Sequence, residues 1–141
     1  MSADNRDDEI VWRLLDLHRR MQHDFEQVAA EFELTAAEAG ALRQLDKPYP
    51  MRAVADALGC DASYVTILTD RLDSLGLVDR MPDANDRRVR QLVLTPKGDE
   101  VRNLLTKRVL ATSPALVGLT DERKALLLDI LRAVSDQVPA S

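Results

Sequence analysis

The sequence predicts a mainly α (α+β) fold: a winged helix-turn-helix with a two-stranded β wing, set between long N- and C-terminal helices. Three observations carry that expectation. Apolar residues recur at spacings of three and four along both ends of the chain. Two short helical segments in the middle meet at Gly59. Directly after them, two strand-like runs flank a polar loop rich in arginine. A chain of 141 residues has room for one domain. That domain is expected to span 1–141, with helices at 7–32 and 99–138 serving dimerisation and a lobe at 35–98.

In the first long helix, Ile10, Val11, Leu14, Leu15, His18, Met21, Phe25, Val28, Ala29 and Phe32 form one stripe, with charges on the other side. Thr35 and Glu38 make a capping box that opens a helix running to about Leu45. Lys47-Pro48-Tyr49-Pro50 breaks that helix, since proline removes a backbone donor. Met51 to Leu58 reads as a short helix and Gly59-Cys60 as a turn. Asp61 is a good cap for a helix continuing to Leu75, which Gly76 stops. Leu77 to Met81 and Arg90 to Leu94 look like short strands, joined by the polar segment from Pro82 to Arg88.

Thr95 caps the next helix and Pro96 takes its first position; Val101, Leu104, Leu105 and Val109 give it a buried side. Thr120 starts the last helix, with Asp121 and Glu122 at the positive end of its dipole. Leu126, Leu127, Ile130, Leu131, Val134 and Val138 then make a second broad apolar face. Both chain ends carry surplus apolar surface for a small protein, which points to partial self-packing plus a dimer seam.

The chain holds 19 Lys+Arg against 24 Asp+Glu, a net charge of −5, but the deficit is uneven. From Lys47 to Gly98 eight positive residues meet seven negative ones, a net of +1; the remainder has 11 and 17, a net of −6. Arg87, Arg88 and Arg90 fall inside four residues, and local clustering is what a polyanion feels. No apolar run approaches the ~20 residues of a membrane span, and the acidic N-terminus lacks a signal-peptide core. A cytoplasmic protein with no membrane partner is expected. The single Cys60 excludes an intramolecular disulfide framework and a thiolate zinc cluster within one chain. With separated glycines, no nucleophile elbow and no metal-ligand cluster, no enzyme, cofactor or metal site is expected.

Ala55, Gly59, Val65 and Leu68 lie at intervals of four, six and three. A helix-turn-helix needs a small residue where its helices meet, a residue free to turn left-handed between them, and apolar anchors under the second helix. Ala55, Gly59 and the trio Val65, Leu68 and Leu72 meet those needs. The opposite face then shows Ser63, Thr66, Ile67 and Asp70, with Tyr64 on its flank. Hydroxyls and a methyl-bearing side chain suit base edges and the thymine methyl in a major groove. An ordinary helical hairpin has the same spacing; the arginine-tipped ribbon after it favours DNA. Those arginines can reach phosphates or a narrow, electronegative minor groove. Asp86, two residues before Arg88, is expected to pin it by an ion pair.

The run Asp86-Arg87-Arg88-Val89-Arg90-Gln91-Leu92-Val93-Leu94-Thr95 resembles the wing signature of the MarR family of bacterial winged-helix regulators, Asp-x-Arg-x5-Leu-Thr. The segments Val65 to Leu72 and Leu75 to Arg80 are similar to the family's recognition helix and first wing strand, and Gly98 also fits. The resemblance covers nearly the whole chain. It implies a sequence-specific transcriptional regulator, a homodimer with interlocked terminal helices whose lobes read successive major grooves of a pseudo-palindrome. It further implies a repressor released by a small, often aromatic or phenolic, effector. By position, Ser63, Tyr64, Thr66 and Ile67 fall where the family contacts bases, Tyr64 being bulkier than the small residues often found there. Arg87 and Arg88 fall at the wing tip with Asp86 as brace, while Arg71 and Arg90 are expected on phosphate.

Other readings remain at this point. Cys60 sits just before a helix N-terminus, where a dipole can lower a thiol pKa, but a small turn residue packed under the hairpin explains it better. His18 and His23 do not share a helix face and cannot chelate one ion together; His18 is expected to be a partly buried core residue. Trp12, His18, Met21, Phe25 and Leu42 could line an effector pocket, yet core packing explains each equally well. A winged helix used for protein assembly is the strongest competing function, and retention of the wing arginines speaks against it.

Overall fold

The structure, a computed structural model, describes residues 3–113 and 116–138; the outer ends of the 1–141 domain and residues 114–115 lie outside the described residues. The first apolar stripe becomes helix α1, Ala3–Glu31. It ends in a turn where Glu33 takes a left-handed backbone (φ 59) and Leu34 returns its N–H to the Ala29 carbonyl at 3.1 Å. Thr35 then caps α2, Ala36–Gln44, with both halves of the capping box formed: Glu38 N–H donates to Thr35 Oγ1 at 3.2 Å and Thr35 N–H to Glu38 Oε2 at 3.0 Å.

Helices α3, Met51–Leu58, and α4, Ala62–Ser74, follow, separated by Gly59 at φ 61. Asp61 occupies the N-cap of α4, but its side chain makes no capping hydrogen bond, contrary to expectation. Helix α4 closes at Ser74, one residue short of the predicted Leu75, and Gly76 (φ 73) takes the chain out of it. Strands β2, Val78–Pro82, and β3, Arg90–Leu94, form the antiparallel ribbon with Arg80 opposite Leu92.

The sheet has a third strand that the sequence did not suggest. Tyr49–Pro50, here β1, pairs antiparallel with β3, Tyr49 opposite Leu92 and Pro50 opposite Gln91, giving the order β1-β3-β2. The two prolines that break α2 also hold this stretch extended, and an edge strand tolerates a residue without an N–H. Helix α5, Pro96–Thr112, carries the predicted Thr95 cap, and α6, Asp121–Ser135, the predicted Thr120 cap.

The core gathers one apolar face from each element of the lobe. Leu42 and Leu45, Val54, Val65 and Leu72, Val78, Leu92 and Leu105 are almost fully buried together, with Val28 and Ala29 from the end of α1. From Asn5 to Arg20, α1 is mostly uncovered. Ile10, Val11, Leu14 and Leu15 are each about half exposed, and His18 is exposed instead of partly buried. Helix α6 buries no residue at all; Leu126, Ile130, Leu131, Val134 and Val138 face outward. On α5, Leu105 is buried but Leu104 is not. The chain exposes 10459 Å², against about 7300 Å² for a compact monomer of 15.8 kDa.

Candidate nucleic-acid interface

Helix α4 packs against α3 with Val65, Leu68, Thr69 and Leu72 buried beneath it, and Ala55 is buried on α3. The buried positions force the others outward. Ser63, Tyr64, Thr66, Ile67 and Asp70 are exposed, Ile67 to 67%, so a large β-branched side chain stands in solvent beside hydroxyls. The Thr66 hydroxyl donates to the Ala62 carbonyl at 3.1 Å, which fixes its rotamer and leaves its lone pairs outward.

The wing is anchored where it leaves and rejoins the helices. Thr95 Oγ1 donates to the Gly76 carbonyl at 2.6 Å, Lys97 Nζ to the Leu75 carbonyl at 2.9 Å, and Thr95 N–H to the Leu77 carbonyl at 3.1 Å. Gly98 is packed so closely on Leu77 that a Cβ would overlap its carbonyl oxygen, so only glycine lets α5 begin there. The ribbon therefore leaves the lobe in a set direction.

At the tip, Asp86 does not form the expected ion pair with Arg88. Its Oδ1 accepts the Arg88 backbone N–H at 3.0 Å, and its carbonyl accepts the Val89 N–H at 3.0 Å. Asp83 repeats the device on Asn85 N–H at 2.9 Å. Two consecutive aspartate turns thus shape the loop through its backbone, because a short carboxylate reaches a nearby N–H more easily than a guanidinium at the end of a long side chain. Arg87 and Arg88 are left exposed, and Arg90 stands exposed at the start of β3.

Arg71 is more constrained than expected. Its Nε lies 3.6 Å from Glu38 Oε1, and Glu38 is largely buried by its capping role, so half-exposed Arg71 leans back on α2. Two residues escaped the sequence reading. Arg52, exposed at the start of α3, shares an open groove of about 560 Å³ with Arg88 and Arg90 on the far side. Arg80, in β2, reaches back to α4, where it donates to Asp70 and, at 3.2 Å, to Thr69 Oγ1. No local pattern marks a partner ten residues away across a helix–strand junction.

The candidate effector residues are dispersed. Leu42 is core, Trp12 and His18 are exposed, and Met21 and Phe25 border a small hollow with Asp24, Val109, Thr112 and Ser113. Cys60 is half-buried at the α3–α4 turn. Among the described residues, no three His, Cys, Asp or Glu side chains gather as a metal ion would require. No described helix is long and apolar enough to cross a membrane.

No protein-family model matches the chain. Over 124 residues it is 29% identical to the HTH-type transcriptional repressor MdtR of Bacillus subtilis (strain 168), spanning 86% of this chain and 80% of that protein. Its fold matches CouR from Rhodococcus jostii RHA1, solved with p-coumaroyl-CoA, at a TM-score of 0.77 and 23% identity, covering 96% and 97% of the two chains. It also matches a mutant of Escherichia coli MarR complexed with operator DNA, at a TM-score of 0.69 and 21% identity, covering 95% and 99%.

A winged helix-turn-helix presenting an uncovered helix face beside an arginine-bearing wing, in a chain similar over most of its length to transcriptional regulators, has the build of a DNA-binding transcriptional regulator. Its fold is that of the MarR-family regulators it matches.

Proposed function

We propose that residues 1–141 act as one unit in a cytoplasmic homodimeric repressor, which binds a pseudo-palindromic operator and is released by a small aromatic or phenolic effector. The observation that carries the DNA contact is the exposed face of α4: Ser63, Tyr64, Thr66 and Ile67 on one side of a helix anchored by Val65, Leu68 and Leu72. These four contact base edges in the major groove; Arg87 and Arg88, on a loop shaped by Asp86, enter the adjacent minor groove; Arg71 and Arg90 contact phosphate. The excess apolar surface of α1 and α6 supports the dimer, since a second copy supplies the cover that the lobe does not. Repression is supported by the name of MdtR, and an effector by the aromatic ligand held by CouR. The hollow beside Met21, Phe25 and Val109 adjoins the uncovered part of α1, where an apolar ligand could bridge a dimer helix and the lobe.

The test is selection of bound duplexes from a random DNA pool, with the affinity of the winners followed against salt. An enriched pseudo-palindrome, half-sites about 10 bp apart, with a steep salt slope is the expected result. Weak binding without enrichment, by protein freed of any retained small molecule, would leave an assembly module as the better reading. Loss of operator affinity on adding aromatic acids or their thioesters would establish the release step.

A further inference from the structure

We propose that Arg80 is a positioning residue for DNA recognition: it ties the reading face of α4 to the wing and keeps the Asp70 carboxylate from confronting the DNA. This rests on the DNA-binding reading of α4 and adds a residue that touches neither base nor phosphate. One Arg80 nitrogen, Nη2, donates both to Asp70 Oδ1 and to Thr69 Oγ1. Thr69 is fully buried, and its hydroxyl, having accepted from Arg80, donates onward to the Thr66 carbonyl at 3.0 Å. The hydroxyl thus accepts on one side and donates its one proton on the other, a relay from β2 through Thr69 to the turn of α4 that carries Thr66.

Arg80 is itself held opposite Leu92, in the middle of the β2–β3 ribbon, so the wing is the fixed end of the link. The electrostatics point the same way. Asp70 lies one turn beyond Thr66 on the exposed face, its side chain 60% exposed, where an unpaired carboxylate would meet backbone phosphates. Arg80, with its side chain only 34% exposed, neutralises that carboxylate from the protein side.

The experiment uses the full-length protein with its selected operator and a shuffled duplex of equal length, titrated at several salt concentrations. Variants are R80Q, D70N and the double variant, with thermal unfolding of each; R80Q keeps a hydrogen-bonding side chain should R80A fail to fold. R80Q is expected to lower operator affinity about tenfold, as coupled neighbours allow, and adding D70N to recover at least about threefold of it. Binding to the shuffled duplex should return to the wild-type level in the double variant, while preference for the operator stays reduced because the Thr69 link is still missing. The proposal is overturned if R80Q weakens both duplexes equally, flattens the salt dependence by about one counterion and is not rescued by D70N, since that describes a direct phosphate contact. A wild type that distinguishes no duplex would overturn the DNA-binding reading, and this inference with it; a wild type that discriminates beside an R80Q variant that does so equally well would overturn this inference alone.

Discussion

Arg108 of α5 grips both carboxylate oxygens of Glu31 at the end of α1, Nε to Oε2 at 2.9 Å and Nη2 to Oε1 at 2.8 Å. The pair joins positions 77 residues apart and fastens the first long helix to the helix that follows the wing. The hydrogen bond from Arg108, aided by its charge, holds the Glu31 carboxyl below the ordinary carboxylate pKa. A carboxyl lowered in the folded state stabilises the fold above its unfolded pKa, and that contribution is lost as pH falls through the lowered value. Glu31→Gln should therefore unfold at lower urea than wild type at neutral pH, with the gap closing as the pH drops below 4.5. Both side chains are solvent-exposed, so high salt should narrow the gap as well. A gap independent of pH would assign the loss to something other than the charge pair.

Glycines at two helix positions should respond in opposite directions to the same substitution. Gly40 lies inside α2 with open space where a Cβ would go, so Gly40→Ala should stabilise the protein by about 0.5–1 kcal/mol through the unfolded chain's lost freedom. Gly98→Ala would drive a methyl into the Leu77 carbonyl, a backbone group that cannot swing aside, and should cost roughly 1–3 kcal/mol. Urea midpoints at unchanged slope read both. Because Gly98 sets where α5 meets the base of the wing, Gly98→Ala should also weaken operator binding, whereas Gly40→Ala should not.

The brace at the wing tip separates two explanations that sequence alone cannot. An ion pair between Asp86 and Arg88 would be lost in Asp86→Asn. The observed bond is to the Arg88 backbone N–H, and an asparagine carbonyl accepts it equally well. Asp86→Asn is therefore expected to bind operator within about twofold of wild type, and Asp86→Ala to lose about 1 kcal/mol of binding as the loop loosens. Equal losses in the two variants would restore the ion pair to the argument.

Contacts to bases and to phosphates differ in what they leave behind. Arg88→Ala should weaken binding to all duplexes and lower the salt slope by about one. Thr66→Ala should leave the slope alone and change preference at one base position by ~1–3 kcal/mol. Competition between operator variants at two salt concentrations measures both quantities. An Arg88→Ala protein with unaltered affinity and slope would remove the wing from the interface.

How far the sequence could be read depended on the range of the interaction. The capping box at Thr35, the Gly59 turn and the Thr95 and Thr120 caps are decided within four residues, and each formed as expected. Val65, Leu68 and Leu72 were legible as anchors because helical periodicity alone separates them from Ser63, Thr66 and Ile67. What escaped depends on tertiary placement. The strand at Tyr49–Pro50 has no pattern of its own and exists because Leu92 and Gln91 lie beside it. Arg80 has no role legible in its own neighbourhood, because only the folded ribbon brings it against Asp70 and Thr69. His18 shows the converse: its place on the stripe was right, but the cover that would bury it is not supplied by the lobe.

That missing cover gives the sharpest test of the dimer. Helix α6 buries nothing within the chain, and Ile130 on it and Val11 on α1 are each more than half exposed. Replacing either by glutamate removes no contact of the lobe, whose core is built from α2 to α5 with the end of α1. Ile130→Glu and Val11→Glu should therefore leave the helix-turn-helix and wing folded while placing an unpaired charge in the seam, a large cost at any buried interface. Sedimentation should then give the mass of one chain. Operator affinity should fall by about 10²–10⁴, because each lobe must find its half-site without the effective concentration supplied by its partner. Binding to a single half-site should barely change. Variants that remain dimeric at micromolar concentration and bind the operator fully would place the seam elsewhere and leave the exposed apolar faces of α1 and α6 to another partner.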